Sequence, residues 1–376
     1  MRPPRVLILS ASVGEGHDLP ARVLAAELRR RAPEVEVEIA DGLVAMGRAM
    51  TAAGHRGMRA TFGVDRMHWA FDLQYLVFAR LGPTRAMGQW LMHRVSGGRL
   101  ARFVRERAPD VVVSTHPAVT EGLGQLRRRG LLSMPAVSAV TDLSSLRYWA
   151  SRGIDVHLLT HPESAEEVRR IAGPDTRIEP VHGLTDPAFL DPPVPEEARR
   201  ALDLPAAGGV VAVSGGGWAV GDLDGALGAA LGVEGVATVL CLCGRNQALR
   251  ERLEARWAGE PRVRVMGFVK RMVEVMAAAD VLVHSTAGLT VLEAWMLGCR
   301  PISYGWGIGH IRLNNRAFRR HGIADVVGTE RELAAAIARA LAAPRVWRVE
   351  EFARLPSAAD VVLEVARRAA PAPARV

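Results

Sequence analysis

This sequence of 376 residues contains little cysteine and few long apolar runs without charge. Its three cysteines, Cys241, Cys243 and Cys299, fit a reducing compartment, and the spacing of the first two is not that of a zinc site. No run of about 18 uncharged apolar residues occurs, so no transmembrane helix is expected. The opening MRPPRVLILS turns polar too soon for a signal peptide. A cytoplasmic protein is therefore predicted.

Lysine is almost absent, since Lys270 is the only one and arginine supplies the rest of the 48 basic residues. Genomic base composition is the simplest reason for such a bias. The formal charge of +8 still attracts polyanions or anionic lipid surfaces. The sequence has no zinc-finger spacing, no basic region joined to heptads and no RNA-binding signature, so nucleic acid is not a predicted partner.

What is present is a repeated alternation of short apolar runs with helical stripes. This pattern favours parallel sheets that are buried on both faces, and hence a doubly wound α/β architecture. The predicted strands are residues 6–10, 35–40, 111–114, 137–141 and 156–160, followed after a break by 210–213, 237–241, 263–266, 281–283 and 300–303.

The break divides the chain into two Rossmann-like domains. Residues 191–209, DPPVPEEARRALDLPAAGG, are rich in Pro, Ala and Gly and are the predicted linker. The predicted N-terminal domain is 1–190, and the predicted C-terminal domain is 210–345. A helical tail is predicted over 346–376.

One segment departs from the alternation. Residues 67–94 concentrate aromatic, Met and Leu side chains and are interrupted by arginines, although only 5% of the chain is aromatic. Core helices of the N-terminal domain are one interpretation. The other is a flap that meets a bilayer, because aromatic and basic residues together suit the membrane interface. Peripheral association with an anionic membrane, on its inner face, is therefore an open alternative.

The first strand ends in a short glycine loop, Val13-Gly14-Glu15-Gly16-His17. Glycines let the backbone approach a ligand, and the following helix N-terminus offers free N–H groups. The third glycine of the dinucleotide fingerprint is missing, which argues against a redox enzyme. His17 is either a helix-terminal side chain without a function or a general base, since histidine titrates near neutral pH.

A second set of loops suits a diphosphate. The strand at 281–283 leads into His284-Ser285-Thr286-Ala287-Gly288-Leu289-Thr290, whose hydroxyls and bare N–H groups precede a predicted helix. Glu293, one turn into that helix, can accept hydrogen bonds from two vicinal hydroxyls, as on a ribose. A further loop, Gly215-Gly216-Gly217, can approach the same phosphates.

These motifs together resemble the family 28 glycosyltransferases of GT-B fold, in particular the monogalactosyldiacylglycerol synthases and bacterial diacylglycerol glucosyltransferases. The matching segments are SASVGEGH, PDVVVSTHP, AVTDLSSLRYWASRGIDVHLLTHPES, VHGLTDPAF, CLCGRNQAL and the block 263–310. The resemblance implies two domains facing a cleft, a nucleotide-sugar donor that is usually UDP-linked, and an acceptor that is often a lipid. It implies inversion at the sugar carbon with no cofactor and no metal.

Site residues follow from the resemblance position by position. His17 is the catalytic histidine near the acceptor hydroxyl, and Glu293 is the ribose-binding acid. Residues 285–290 form the diphosphate loop, and Phe268 and Val269 read the uracil. The other implied donor-side residues are Gly215, Gly216, Gly217, Arg245 and His310, and the acceptor-side residues are Gly14, Gly16, His116 and Asp142, with Trp149 in the same TD…W segment as Asp142.

Two departures from the family pattern stand out. Glu15 replaces the middle one of three glycines, and the loop that usually contacts sugar hydroxyls reads GWGIGHIRLNN here, without a carboxylate. Asn314 or Asn315 is a candidate to supply those hydrogen bonds.

Other assignments stay open at the level of sequence. His116 either caps a helix or lines the acceptor site. Asp222 and Asp224 match an Asp-x-Asp metal motif, but acids also favour a helix N-terminus. The alternative functions are a glycosyltransferase for a small secondary metabolite, a nucleotide-sugar epimerase of the same fold and a non-catalytic membrane-docking protein.

Overall fold

The computed structural model describes residues 2–11, 15–52, 82–286, 288–305 and 310–370. The chain forms two compact units, one of Met1–Asp186 with Leu355–Val376 and one of Pro187–Arg354. Each unit is built on its own six-stranded parallel sheet, as the alternating pattern predicts.

The first sheet has the strand order β2-β1-β3-β4-β5-β6. Its inner strands are apolar and buried, as expected for a sheet that helices cover on both faces. The strands are β1 Arg5–Ser10, β2 Glu36–Asp41, β3 Val111–Ser114, β4 Ala136–Val140, β5 Val156–Leu159 and β6 Arg177–Pro180. The helices are α1 Glu15–Arg31, α2 Gly42–Met46, α3 Gly82–Met92, α4 Gly98–Arg107, α5 Pro117–Arg128 and α6 Ala165–Ala172.

The second sheet has the strand order β12-β11-β10-β7-β8-β9. The strands are β7 Gly209–Ser214, β8 Val236–Leu242, β9 Val263–Met266, β10 Val281–His284, β11 Arg300–Tyr304 and β12 Asp325–Val327. The helices are α7 Pro195–Ala201, α8 Leu223–Leu231, α9 Gln247–Arg256, α10 Met272–Ala278, α11 Leu289–Met296, α12 His310–Arg320, α13 Glu330–Ala342 and α14 Val349–Ala353.

The last helix, α15 Ala358–Ala369, belongs to the first unit although it follows the second in the chain. Val362 and Ala366 of α15 are buried in the same apolar cluster as Ile8 of β1 and Leu24 of α1. The predicted tail at 346–376 is therefore helical, but its parts lie in different units: α14 is in the second and α15 completes the core of the first.

The stretch 191–209, predicted as a linker, contains helix α7. Pro195 stands in its first turn with Glu196 and Glu197, residues that suit a helix start. Arg199 donates a hydrogen bond to the carboxylate of Asp280 at 2.9 Å, which fixes α7 to the second unit. The compact units thus meet at Asp186 and Pro187 in the chain, whereas the predicted linker begins at 191.

Both sheets reverse their winding direction at one place, between β1 and β3 in the first and between β7 and β10 in the second. Ligands of doubly wound proteins bind at such switch points, outside the carboxyl ends of the strands. His17 follows β1 and His116 follows β3. Similarly, Gly215 follows β7 and Ser285 follows β10, so the candidate residues lie at the two places where the topology favours binding.

Candidate active site

His17 lies in the first turn of α1, and a carbonyl at the end of β3 orients its ring. Its Nδ1 atom is 3.0 Å from the backbone oxygen of Thr115. A carbonyl oxygen only accepts hydrogen bonds, so Nδ1 carries the proton of the neutral ring. Nε2 is then the nitrogen with the lone pair, as a general base requires.

Two aromatic rings pack against His17. The His116 ring lies edge-on with its centroid 4.7 Å away, and the Trp149 ring lies 5.8 Å away. His116 also caps α5, because its Nδ1 accepts a hydrogen bond from the backbone N–H of Ala118 at 3.3 Å. Burial, and secondarily the nearby His17, hold the pKa of His116 well below its usual value. His116 is therefore both a helix cap and a neutral neighbour of the candidate base.

Asp142 is tied to this cluster through Trp149. The indole Nε1 of the buried Trp149 donates a hydrogen bond to Asp142 Oδ2 at 3.0 Å. The carboxylate therefore holds the ring that packs against His17, which gives the TD…W segment a physical role.

The contact between His17 and the backbone oxygen of Thr115 was not predicted, because it joins residues 98 positions apart.

In the second unit, the glycine loop after β7 lies against the loop after β10. Gly216 has a φ of +70°, a backbone conformation that favours glycine, and a methyl group there would come within 3.1 Å of the Thr286 side chain. Its N–H donates to Ser214 Oγ at 3.2 Å. The two phosphate-binding loops proposed from sequence are thus neighbours in space.

Helix α11 begins beside these two loops, and no side chain caps its N-terminus. Its N-cap, Gly288, has a φ of +86° and makes no side-chain capping bond. Ser285, Thr286 and Thr290 are half-buried around it. The start of α11 therefore carries N–H groups and hydroxyls, the donors that a diphosphate needs.

His284, at the end of β10, supports the loop that follows this strand. Its Nδ1 donates to the backbone oxygen of Thr286 at 2.6 Å, and burial lowers its pKa to about 4. The ring is therefore neutral at physiological pH and acts as a fixed support for the loop. The sequence motif includes His284, but its supporting role depends on a contact that only the structure shows.

Glu293 and Leu289 face the interior of the second unit. Glu293 is only 5% exposed, one turn into α11, and Leu289 is buried beside it. The structure thus places Glu293 in the helix that follows the candidate diphosphate loop, with little exposure to solvent.

Arg245 and Phe268 form a stacked pair on the same unit. The guanidinium of Arg245 lies 4.3 Å from the ring centroid of Phe268, which is 48% exposed. The backbone N–H of Arg245 donates to the oxygen of Gly217 at 2.9 Å, so the pair is joined to the glycine loop. Val269 is half-buried next in the chain. An exposed aromatic face beside the phosphate loops can stack on a nucleobase.

Other predicted residues fall into three groups. Gly16 is exposed in the first turn of α1, and His310 is the first residue of α12. Asn314 and Asn315 of α12 are both buried, and neither atom of the Asn315 amide has a partner within the described ranges. Gly14 and Ala287 lie outside the described residues.

Asp222 and Asp224 have structural roles. Asp222 caps α8 by accepting from the backbone N–H of Gly225 at 2.9 Å. Asp224 accepts from the indole of Trp257 and pairs with Arg256, both at 2.9 Å. No cluster of three His, Cys, Asp or Glu side chains suited to a metal ion occurs among the residues that the structure describes.

Of the segment 67–94, the structure describes α3 and the residues after it, and 67–81 lie outside the described residues. Met87, Trp90 and Leu91 of α3 are all more than half exposed. The guanidinium of Arg94 lies 5.4 Å from the Trp90 ring centroid. At this end of the segment Met92 packs against the core of the first unit, whereas Met87, Trp90 and Leu91 form an exposed apolar face, so both interpretations stay open. Within the described ranges, no helix combines the length and apolarity needed to cross a bilayer.

Two family models match the chain: monogalactosyldiacylglycerol (MGDG) synthase over residues 82–184, and glycosyl transferases group 1 over residues 226–343. The chain is 27% identical to monogalactosyldiacylglycerol synthase 1 of Arabidopsis thaliana over 82% of its own length and 59% of the plant protein. It is 22% identical to the processive diacylglycerol beta-glucosyltransferase of Bacillus subtilis, over 90% of its own length and 87% of that protein.

Among solved structures, MurG of Acinetobacter baumannii superposes with a TM-score of 0.63 at 16% identity, covering 97% of this chain and 100% of the other. These likenesses confirm the resemblance and the GT-B fold that the motifs predict.

Proposed function

We propose that this chain, a GT-B protein resembling the monogalactosyldiacylglycerol synthases, transfers a sugar from a UDP-sugar to a hydroxyl of a diacylglycerol-type lipid with inversion at the anomeric carbon. The observation that carries the proposal is the bond from His17 Nδ1 to the Thr115 carbonyl oxygen. That bond makes Nε2 the proton-accepting nitrogen. The Trp149 ring, packed against it, restricts how the imidazole can turn.

In the proposed reaction, Nε2 of His17 takes the proton of the acceptor hydroxyl. The hydroxyl oxygen forms a bond to the anomeric carbon as the bond from that carbon to the diphosphate oxygen breaks. The electron pair leaves with the diphosphate. A neutral His116 beside His17 adds no positive charge that would oppose protonation of the base.

The second unit would stabilise the leaving group. Negative charge that grows on the diphosphate meets the N-terminal N–H groups of α11 and the hydroxyls of Ser285, Thr286 and Thr290. The positive end of the helix dipole then does the work that a divalent cation does in other transferases. The reaction is accordingly proposed to need no metal.

Donor recognition would use the buried Glu293 for the ribose hydroxyls and the exposed face of Phe268, with Val269, for the base. Arg245, stacked on Phe268, is close enough to this surface to add a positive charge near the diphosphate. His310 at the start of α12, with Asn314 or Asn315, is the proposed sugar side of the donor site.

We further propose that α3 brings the protein to its lipid acceptor. Its exposed Met87, Trp90 and Leu91 suit the apolar edge of a bilayer, and neighbouring arginines suit anionic headgroups on the inner face.

The deciding assay combines the protein with UDP- and dTDP-sugars, with and without diacylglycerol, and follows nucleotide release and the anomeric configuration of the product. Lipid-dependent release of UDP with an inverted product is expected. Release of UDP with a small hydroxyl compound but not with lipid would show that the acceptor is a small molecule and not diacylglycerol. A changed nucleotide sugar in the absence of any acceptor would identify an epimerase, and no turnover with any donor would contradict the proposal.

A further inference from the structure

Trp218 is an exposed aromatic residue of the second unit that the proposed reaction does not use. It ends the short turn Gly216–Trp218 after β7 and is 53% exposed. Among the residues that the structure describes, its indole N–H makes no hydrogen bond and its ring contacts no other ring or cation. The other five described tryptophans each have such a partner: Trp90, Trp149, Trp257, Trp295 and Trp347. A large aromatic side chain without a partner is a candidate surface for a ligand.

The turn that carries Trp218 is closely folded. The backbone N–H of Val220 donates to the oxygen of Gly215 at 2.8 Å, and that of Ala219 donates to the oxygen of Gly216 at 3.1 Å. A methyl group on Gly215 would come within 2.5 Å of the backbone of Ala219, so the turn has no room for a side chain there. The backbone of Trp218 is therefore held in place, which reduces the entropy that binding must overcome.

The same turn lies against the candidate diphosphate loop. A methyl group on Gly221 would overlap the side chain of Ser285. Gly216 is similarly close to the side chain of Thr286. Trp218 is thus the exposed residue of a turn that touches the loop at two consecutive positions. A group bonded to a diphosphate that this loop holds would come near its ring.

The base end of the donor already has an aromatic surface, whereas the sugar end lacks a carboxylate. Phe268 offers an exposed ring, with the guanidinium of Arg245 stacked 4.3 Å from its centroid. Residues 305–315, the segment expected to contact sugar hydroxyls, contain no Asp or Glu. The face of an indole is electronegative and attracts the C–H groups on one side of a pyranose, and its N–H can donate to a hydroxyl. An exposed tryptophan therefore suits the sugar end of the donor.

We propose that Trp218 binds the sugar ring of the donor by stacking on its C–H face and thereby helps to select which sugar is transferred. The inference deepens the proposed function and rests on it, since the sugar side otherwise consists of His310 with Asn314 or Asn315. Because the contact is with the sugar, Trp218 should affect the affinity for UDP-sugars and leave the affinity for UDP unchanged.

Fluorine NMR tests this contact in the intact protein. Labelling with 5-fluorotryptophan gives a signal for each of the eight tryptophans, and the signal missing in Trp218→Phe belongs to Trp218. That signal should shift on addition of at least one of UDP-glucose, UDP-galactose and UDP-N-acetylglucosamine, and should shift much less with UDP. The signal of Trp347, assigned in the same way with Trp347→Phe, should not shift and is the control.

Calorimetry with the same four ligands measures the effect on affinity. Trp218→Ala should weaken binding of the preferred UDP-sugar by about three- to tenfold and leave UDP binding near that of wild type. Trp218→Phe keeps an aromatic face and should lose less affinity. Trp347→Ala removes a partly exposed tryptophan of the same unit and should bind all four ligands like wild type. Melting temperatures verify that each variant folds, and the NMR signal of the wild type remains decisive if Trp218→Ala does not.

The possible failures separate the inference from the proposed function. If the wild type binds neither UDP nor any UDP-sugar, the proposed function fails and the inference fails with it. If the wild type binds these ligands but the Trp218 signal responds to none of them, or responds equally to UDP, the inference alone fails. An equal response to UDP would place the ring on the nucleotide, and a response only after diacylglycerol is added would place it on the acceptor. Wild-type affinity for UDP-sugars in Trp218→Ala would also overturn the inference.

Discussion

At the scale of single residues, the carbonyl oxygen of Thr115 decides which nitrogen of His17 can act as a base. The sequence predicts that His17 follows a strand and a glycine loop, but the tautomer depends on a backbone atom 98 positions away. The same holds for Trp149, whose ring reaches His17 because Asp142 holds its indole N–H. Residue types and local order were therefore readable from the sequence, whereas orientation required the three-dimensional neighbours.

His17→Ala should lower turnover by roughly a hundred- to ten-thousand-fold while UDP affinity stays near that of wild type, because a general base acts on the acceptor and not on the nucleotide. Steady-state kinetics with UDP-sugar and lipid, together with calorimetry for UDP, measure the two effects. His321→Ala replaces an exposed histidine of the second unit and serves as the control. A His17→Ala variant with the kcat of wild type would show that His17 is not the general base.

Glu293→Ala should weaken UDP binding, because the ribose hydroxyls would lose a charge-assisted partner worth roughly 1.5–3 kcal/mol. That range corresponds to a loss of about ten- to a hundred-fold in affinity, measured by calorimetry with UDP. Glu234→Ala removes an exposed carboxylate of the same unit and should bind UDP normally. Unchanged affinity in a folded Glu293→Ala protein would remove this residue from the donor site.

Two buried histidines should make the fold sensitive to acid. Burial lowers the pKa of His284 and of His157 to about 4, whereas an unfolded histidine titrates near 6.5. The unfolded chain therefore binds more protons between these values, so stability is lost as the pH falls from about 6.5 towards 4. Each histidine should cost ~2 kcal/mol of folding free energy at a pH of about 5.

Melting temperatures between about pH 7.5 and 5 check this expectation. His157→Gln removes one titrating group, so its melting temperature should fall less steeply with acidification than that of wild type, whatever its value at neutral pH. If the melting temperatures of both proteins fall equally steeply with decreasing pH, His157 does not contribute to the acid sensitivity.

At the scale of helices and strands, the regular pattern of the sequence was sufficient for the buried inner strands and for two of the four edge strands, but not for the other two. The predicted strands all correspond to observed ones. Continuous apolar runs mark the inner strands, which are buried on both faces, and the partly exposed edge strands β2 and β9 were also predicted. The edge strands β6 and β12 were missed. β6 reads Arg-Ile-Glu-Pro and β12 has three residues starting with Asp325, so neither has the apolar run on which the prediction depends.

Helix α7 was missed for a related reason. Its sequence is rich in Pro, Ala and charge, which resembles a linker when read locally. Its position depends on the long-range pair between Arg199 and Asp280, which no local pattern contains.

The exposed face of α3 gives a prediction about membranes. Replacing Met87, Trp90 and Leu91 with Ser should reduce binding to anionic vesicles at high salt, because apolar burial is insensitive to salt whereas arginine attraction is screened. These side chains are more than half exposed, so the melting temperature should change little.

Sedimentation with vesicles at low and high salt measures the effect of the α3 substitutions. Val44→Ser with Val194→Ser, which alters exposed apolar residues elsewhere, is the control. If the α3 variant melts far below wild type, the segment is a packed element in solution and the membrane proposal fails.

At the scale of the whole molecule, two separate sheets of the same winding present their loops at equivalent switch points. The charge stabilisation proposed for the second unit uses only α11 and its hydroxyls, and both Asp222 and Asp224 are engaged in structural bonds. Activity should therefore survive EDTA. Assays with and without the chelator measure this, with added Mg²⁺ or Mn²⁺ as the rescue. A loss in EDTA that either ion restores would contradict the assignment.

The return of α15 to the first unit has a consequence for how the protein is made. During synthesis, the strands from β1 to β6 leave the ribosome early, but the apolar surface that Val362 and Ala366 cover stays open until the whole second unit has been translated. Domains commonly fold in order as they emerge. Here the order is inverted at the end: the second unit is complete before the first, so part of the apolar core of the first unit stays exposed to solvent until Leu355–Val376 has been translated.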